Sequence, residues 1–241
     1  DPVLAAVGDR ASPAVYERVR AEMGLDLPLW QQFLTYLQNV LSGDLGQSVL
    51  TARPVLEDIL RVFPATLELA TVATLLGVVF GVPMGVTAAV HQGRWPDQVI
   101  RFVGLIGYSM PVFWLGLVGL LVFYAKLGVV PGPGRLDVFY EDLVPTVTGV
   151  LLIDAALAGD WAVWRNALAH LILPASILGY FSLAYISRMT RSLMLEQLQQ
   201  EYILTARVKG LSETRIIWRH ALGNTAVPLV TVIALSYANL L

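Results

Sequence analysis

Four stretches of this chain are long and apolar enough to be helices in lipid, and that limits every other choice the sequence has. Residues 65–90 (Ala65 to Val90) carry one charge, Glu68, and residues 102–125 carry none. In residues 166–187 His170 alone titrates near neutral pH, and residues 224–241 are uncharged. Each stretch is close to or beyond the roughly 20 residues a helix needs to cross a hydrocarbon core about 30 Å thick. Lipid offers no partner to a free backbone N–H or C=O, so each segment must satisfy its own as a helix. Only 14% of the residues are charged, where a soluble domain carries about 25%. The expected fold is an all-α membrane protein with at least four spans.

Charge decides which way the spans face. Between Arg188 and His220 lie Arg188, Arg191, Arg207, Lys209, Arg215 and Arg219, against Glu196, Glu201 and Glu213. Between Gly128 and Arg165 lie Arg135 and Arg165, against Asp137, Glu141, Asp142, Asp154 and Asp160. Lys and Arg accumulate in cytoplasmic loops, which places the first connector inside the cell and the second outside. The short link around His91, Arg94 and Arg101 is then cytoplasmic, and residues 1–63 are external (periplasmic). On this topology His91, His170 and His220 lie on different sides and cannot share a metal. The net charge of −2 carries no footprint of nucleic-acid binding, and the absence of cysteine leaves no disulfide framework or thiolate metal site.

The external segment reads as helices and a loop. Ser12-Pro13 starts a helix, with Ser as cap and Pro in the first turn, and Gly24 stops it. Leu29 to Leu41 has an amphipathic period, with Trp30, Phe33, Leu34, Leu37 and Leu41 on one face. In the second external connector Val130-Pro-Gly-Pro-Gly134 is a rigid turn. Val144 to Ala158 is too short to cross and contains Asp154, so it is expected as a re-entrant or interface-lying helix, with Trp161 and Trp164 in the headgroup layer.

The basic connector, residues 188–223, is about thirty residues long, where most connections need a handful. A helical pattern from Leu195 to Lys209 is stopped by Gly210. Ser212 can cap a second short helix, with Glu213 against its positive end. Two helices bent at a glycine would make a compact knob in the cytoplasm.

That connector resembles the coupling loop of binding-protein-dependent ABC importer permeases of the dipeptide/oligopeptide/nickel branch. The likeness rests on Tyr202, Thr205-Ala206-Arg207, Lys209-Gly210-Leu211 and Arg219-His220-Ala221-Leu222, with Asn224 and Pro228. Ala206 and Gly210 keep the wider family's Glu-Ala-Ala-x-x-x-Gly spacing, while Leu204 stands where that pattern has Glu, and Leu222-Gly223 where it has Leu-Pro. Gly43-Asp44-Leu45-Gly46-Gln47-Ser48, Pro54-Val55 and Thr66-Leu67-Glu68-Leu69 resemble further motifs of the branch, in the same order. The resemblance implies a type I ABC importer transmembrane domain over residues 64–241, with about six spans, a first one before residue 1 and a last one beyond Leu241. It implies as partners a second homologous permease, two ATPase subunits and a periplasmic solute-binding protein, all at the inner membrane. ATP and Mg would sit on the ATPases, and this subunit would hold no cofactor and catalyse nothing itself. Ala206, Arg207, Lys209, Gly210, Leu211, Arg215, Ile216, Ile217, Trp218 and Arg219 would engage an ATPase groove. Gly210 would set the angle of the knob, Ala206 would permit close packing, Ile216, Ile217 and Trp218 would give apolar contact, and the basic residues polar contact or topology anchoring.

Within the spans, Gly77, Gly81 and Gly85 recur every four residues and allow another helix to approach closely. Pro83, Pro111 and Pro174 are expected to kink their helices. Glu68 is read as a first-turn carboxylate stabilised by the helix N-terminus and the outer interface. From depth and polarity alone, Tyr108, Ser109, Phe113, Tyr180, Ser182 and Tyr185 are candidates to line a translocation path. The chain has no Gly-x-x-x-x-Gly-Lys-Ser/Thr phosphate loop and no chain of buried acids for ion coupling. The reading is therefore a permease for di- or oligopeptides driven by partner ATPases. A nickel or other small-solute permease of the branch, and an ion-gradient-driven carrier, are the rivals; a membrane enzyme would need reactive groups converging at one depth.

Overall fold

A computed structural model describes residues 2–8, 12–48 and 50–241. Residues 1–64 and 65–241 form two compact units. All described elements are helical apart from one isolated antiparallel bridge, Gln47 with Pro54.

In the first unit lie α1 (Pro2–Val7), α2 (Pro13–Glu22) and α3 (Leu29–Leu41). Ser12 caps α2 as its position predicts, its hydroxyl accepting from Val15 N–H at 3.4 Å, and Gly24 takes the left-handed φ of +67° that ends the turn. The apolar face of α3 forms as its period requires, and Trp30, Phe33, Leu34, Leu37 and Leu41 are all exposed on it. The Gly43–Ser48 run makes a tight loop: Gly46 N–H donates to Asp44 Oδ1 at 2.9 Å, Val55 N–H to Gly46 O at 2.9 Å, and Ser48 N–H to Arg53 O at 2.8 Å. α4 (Val55–Val90) starts there, with Glu57 and Asp58 in its first turn, where the helix dipole favours acids.

α4 runs 36 residues, well beyond the apolar stretch that marks its span. A turn at residues 91–94 leads to α5 (Trp95–Ser109), then α6 (Val112–Gly119), which widens into a π-helical stretch, Leu120–Lys126. The expected single span over 102–125 is not one helix: α5 and α6 meet at 97°. Pro111 explains the break, because its ring forces Met110 out of the helical region, to φ −99° and ψ 134°. α7 (Leu151–Leu157) follows, and it is shorter than the expected 144–158 helix. α8 (Trp161–Leu198) is 38 residues long, with Asp160 capping it through Ala162 and Val163 N–H at 3.0 and 3.1 Å. α9 (Glu201–Val208), α10 (Glu213–Arg215) and α11 (Leu222–Ala238) complete the chain; a π-helical stretch, Ile216–Ala221, joins the last two into one continuous helix. Among the described residues, three helices are long and apolar enough to span a membrane, and four if the bent pair is one span.

The second unit is organised around α4 and α8. A Cβ at Gly77 would lie 2.5 Å from Ser182 Cβ, and one at Gly85 would lie 2.6 Å from Ser187 O. In return Gly179 of α8 meets Ala73 O and Leu76 of α4. The small residues bring two backbones together, as their spacing predicts. α11 packs on this pair through Ile186, Leu229 and Val232, with Ser236 Oγ 3.4 Å from Ser182 Oγ.

Well inside α4, Glu68 is buried and is not in a first turn, since the helix has begun at Val55. Its Oε2 accepts from Arg135 Nη2 at 2.7 Å and its Oε1 from Leu152 N–H at 2.8 Å. An ion pair and a backbone donor, rather than a helix terminus, satisfy it. Asp154 lies in the first turn of α7 and also folds the loop before it. Burial pushes its carboxyl up, but the Thr148 hydroxyl and the N–H groups of Thr148, Gly149 and Val147 outweigh burial and hold it below the ordinary range.

Two predictions follow from this packing. Gly85→Val forces α4 away from Thr190 and should cost about 1–3 kcal/mol, read as a lowered melting temperature in detergent. Gly116→Ala, with nothing within 4 Å of the added carbon, should not lower it. For Asp154 the folded carboxyl binds its proton less readily than the unfolded one, so its support is complete above the unfolded pKa of about 3.9 and disappears as pH falls through the folded value. Hydrogen exchange at residues 147–149, corrected for intrinsic rates, should hold its protection from pH 7 to about 5 and lose it only below about 4; loss already at pH 6 would contradict the assignment.

Candidate functional site

α8 does not stop where its apolar run ends; it continues past Arg188 and Arg191 to Leu198. The expected helix from Leu195 to Lys209 is broken at Gln199 and Gln200, the latter extended at ψ 149°. α9 then lies as a separate two-turn helix. Its end is a Schellman turn: Gly210 N–H donates to Arg207 O at 2.9 Å and Leu211 N–H to Ala206 O at 3.2 Å, with Gly210 at φ +78°. Ser212 occupies the cap position of α10, but its hydroxyl makes no capping bond. Glu213 instead takes Arg207 at 2.8 and 3.3 Å, and this bond raises the pKa of the guanidinium. The expected second knob helix is the start of the continuous helix that becomes α11, so α9 is the only detached helix of the connector.

α9 is clamped on its inner side. Ile203 and Ala206 pack in one cluster with Val86 and Ala89 of α4, Met194 of α8, and Ile216 and Ala221. Tyr202 supports the turn by donating to Gln197 Oε1 at 2.8 Å. Ala206 and Ile216 are therefore core residues of this chain, and their expected contact with a partner is corrected by their burial. Leu211 and Ile217 are half-buried against the same cluster. Arg207, Lys209, Gly210, Arg215, Trp218 and Arg219 are exposed. So are Leu204, 63% exposed, and Val208, 81% exposed, which stand one turn apart on the outer face of α9. The reading by motif passed over both. Their signal was present: apolar residues at i and i+4 on a short helix whose inner face Ile203 and Ala206 already fill.

The residues proposed for a path are not brought together. Ser182 is buried between Gly77 and Ser236. Tyr180 donates to Val103 O at 2.6 Å and packs on Gly107, which ties α8 to α5. Ser109 donates back to Leu105 O at 2.9 Å. Phe113 lines an apolar cavity of about 420 Å³ beside His170 and Pro174. Tyr108 lines a different cavity, of about 550 Å³, between α5 and α8. Tyr185 approaches it only through Arg188, whose guanidinium lies 4.4 Å from the Tyr108 ring centre and 5.9 Å from that of Tyr185. Below this cavity Asp97, fully buried, takes Arg191 Nε and Nη2 at 2.6 and 2.8 Å and Gly93 N–H at 2.9 Å. This pair fastens the start of α5 to α8, and charge counting by loop did not reveal it.

Comparison with known proteins agrees with this architecture. Residues 81–241 match the family described as binding-protein-dependent transport system inner membrane component, and residues 1–70 match its N-terminal companion. The whole chain is similar to a probable D,D-dipeptide transport system permease protein of Escherichia coli K12, at 47% identity over 71% of that protein. It is similar to a di/tripeptide transport system permease protein of Pseudomonas aeruginosa at 45% identity over 71% of its length, and to a dipeptide transport system permease protein of Alkalihalophilus pseudofirmus at 36% over 72%. With spans of this length, small-residue helix contacts and a short helix clamped at one end of the bundle, the chain belongs to the inner membrane components of binding-protein-dependent transport systems, the multi-pass permease subunits of ABC importers, and its fold is an all-α type I importer transmembrane domain.

Proposed function

We propose that this chain passes short peptides across the inner membrane, paired with a second, homologous permease and powered by ATP hydrolysis on two separate ATPase subunits. A periplasmic solute-binding protein delivers the peptide. The subunit itself holds neither ATP nor Mg and performs no hydrolysis. The observation that carries the substrate class is whole-chain identity of 45–47% to permeases named for dipeptides or di/tripeptides.

The coupling contact is α9. Its inner face is held by the bundle through Ile203 and Ala206, so a push on the helix is delivered to α4 and α8 instead of being absorbed by a loose loop. Its outer face offers Leu204 and Val208 for an apolar groove, with Arg207, Lys209, Arg215 and Arg219 at the rim and Trp218 nearby. Closure of the ATPases on ATP brings two such helices together and opens the cavity outward; hydrolysis resets the inward-facing form. Gly210 fixes where α9 turns back into the bundle.

The test is the reconstituted assembly. Peptide-stimulated ATPase activity and ATP-driven uptake are expected with the binding protein present, whereas uptake by this chain and its partner permease alone, driven by an ion gradient, would overturn the reading. Val208→Asp should leave insertion and melting temperature unchanged, because the side chain is exposed, yet lower peptide-stimulated ATPase activity tenfold or more, at about 1.4 kcal/mol per factor of ten. Gly210→Arg should leave insertion intact and abolish coupled hydrolysis, because an L-residue strains the left-handed position by about 1–2 kcal/mol. Normal coupling in both variants would place the ATPase contact elsewhere.

A further inference from the structure

We infer that the cavity between α5 and α8 contains a carboxylate-binding subsite centred on Arg188, and that its ligand is the free C-terminal carboxylate of the translocated peptide. This rests on the peptide reading above and goes beyond it, assigning a recognition group to this chain in place of leaving selectivity to the binding protein.

The charge balance of the cavity points there first. Arg101, Arg188 and Arg191 all line it. Arg191 is neutralised by Asp97, whose two oxygens are taken up by Arg191 and Gly93 N–H. Among the described residues neither Arg101 nor Arg188 has an ion-pair partner. Three arginines against the one carboxylate of Asp97, which Arg101 also reaches electrostatically, leave the cavity net positive and attractive to an anionic group.

The posture of Arg188 is the second observation. An arginine that merely anchors a span extends into the headgroup layer. Arg188 instead folds over the Tyr108 ring at 4.4 Å and donates Nη2 to the Tyr108 hydroxyl at 3.1 Å, with the Tyr185 ring centre 5.9 Å away. Contacts of this kind anchor a guanidinium while consuming few of its five N–H donors. The remaining donors form the planar fork that matches a carboxylate.

Size and surroundings fit the same ligand. A volume of about 550 Å³ lies in the range of small-molecule sites, roughly 300–1,000 Å³. Phe102, Leu105 and Ala184 make part of the lining apolar, which tolerates varied side chains while Arg188 reads the one group that all free peptides share.

The experiment uses the complete importer in nanodiscs of phosphatidylcholine, without nucleotide or binding protein. Equilibrium dialysis with radiolabelled alanyl-alanine and with alanyl-alanine amide measures binding directly. The wild-type importer is expected to hold the free acid about tenfold or more tighter than the amide. Arg188→Gln should bind both equally weakly, and Arg188→Lys should recover part of the preference. Unchanged preference in Arg188→Gln, or no binding of the free acid by the wild type up to millimolar concentrations, overturns the subsite. So does an Arg188-dependent retention of phosphatidylglycerol that alanyl-alanine does not compete, which would identify a lipid-headgroup site. ATP-driven uptake of alanyl-alanine by the same wild-type importer reconstituted in sealed liposomes, with binding protein added on the uptake side, reports separately on the peptide reading: uptake without an Arg188-dependent preference sinks only the subsite.

Discussion

Gly77 and Gly85 let α4 meet α8 without contributing a side chain of their own at these points, and the other functional features hang on that contact. In lipid, water expulsion does not drive one apolar helix against another; dispersion at close range does, and it requires small residues at the seam. The α4–α8 seam is reciprocal, with Gly179 receiving Ala73 and Leu76 of the facing helix. α11 is added through Ile186, Leu229 and Val232, and α5 through Gly107 against Tyr180 and Ala184. A bulky residue at Gly85 would therefore displace more than one neighbour, because Thr190 lies one turn from Met194, which supports α9.

Two ion pairs close the ends of this seam. Glu68 with Arg135 holds the long connector and α7 against the first half of α4; Asp97 with Arg191 holds the start of α5 to α8. For the more buried pair, Asp97 with Arg191, removing one member leaves an uncompensated charge, at a cost of about 3–5 kcal/mol, whereas the intact pair contributes little net stability. Their use is positional. Each fixes a connector that apolar packing alone would leave free to slide. Asp97 matters further because it occupies Arg191, and so decides that the charge left over in the cavity belongs to Arg101 and Arg188.

The sequence made the spans, the small-residue seam and the glycine turn at 210 legible, because hydrophobic runs, i,i+4 glycines and left-handed turns each have a local physical cause. It did not disclose helix ends. Val55, Leu198 and Glu213 lie in polar segments where amphipathic helices continue past the lipid boundary, and no cap separates the two parts. The break at Met110–Pro111 was signalled by the proline, yet the unbroken apolar run around it read as one span. For the candidate site, exposure and burial on α9 depended on which neighbours fill the groove at Ile203 and Ala206, a tertiary fact. Ile216 illustrates the limit: a hydrophobic residue beside arginines in a cytoplasmic loop looks like a contact for another protein, and here it is the core on which α9 rests.

The same core explains how a contact on α9 can reach the cavity. Arg188 and Met194 lie on one unbroken helix, six residues apart, about 9 Å along the axis. Met194 touches the cluster that grips Ile203, and Arg191, between them, is locked to α5 by Asp97. A displacement of α9 must then carry the lower part of α8 and the start of α5 together, since sliding one past the other would strip Asp97 of its partner. The 97° bend at Met110–Pro111 is where that motion can be taken up: on one side α5 is pinned to α8 through Asp97, and on the other α6 packs on a different part of α8, through Gly119 against Leu173 and Ile177. On the proposed reading, the cavity walls shift as one piece at the cytoplasmic end and reorient across the bend, which is the behaviour a gate needs and a uniformly straight bundle would not supply.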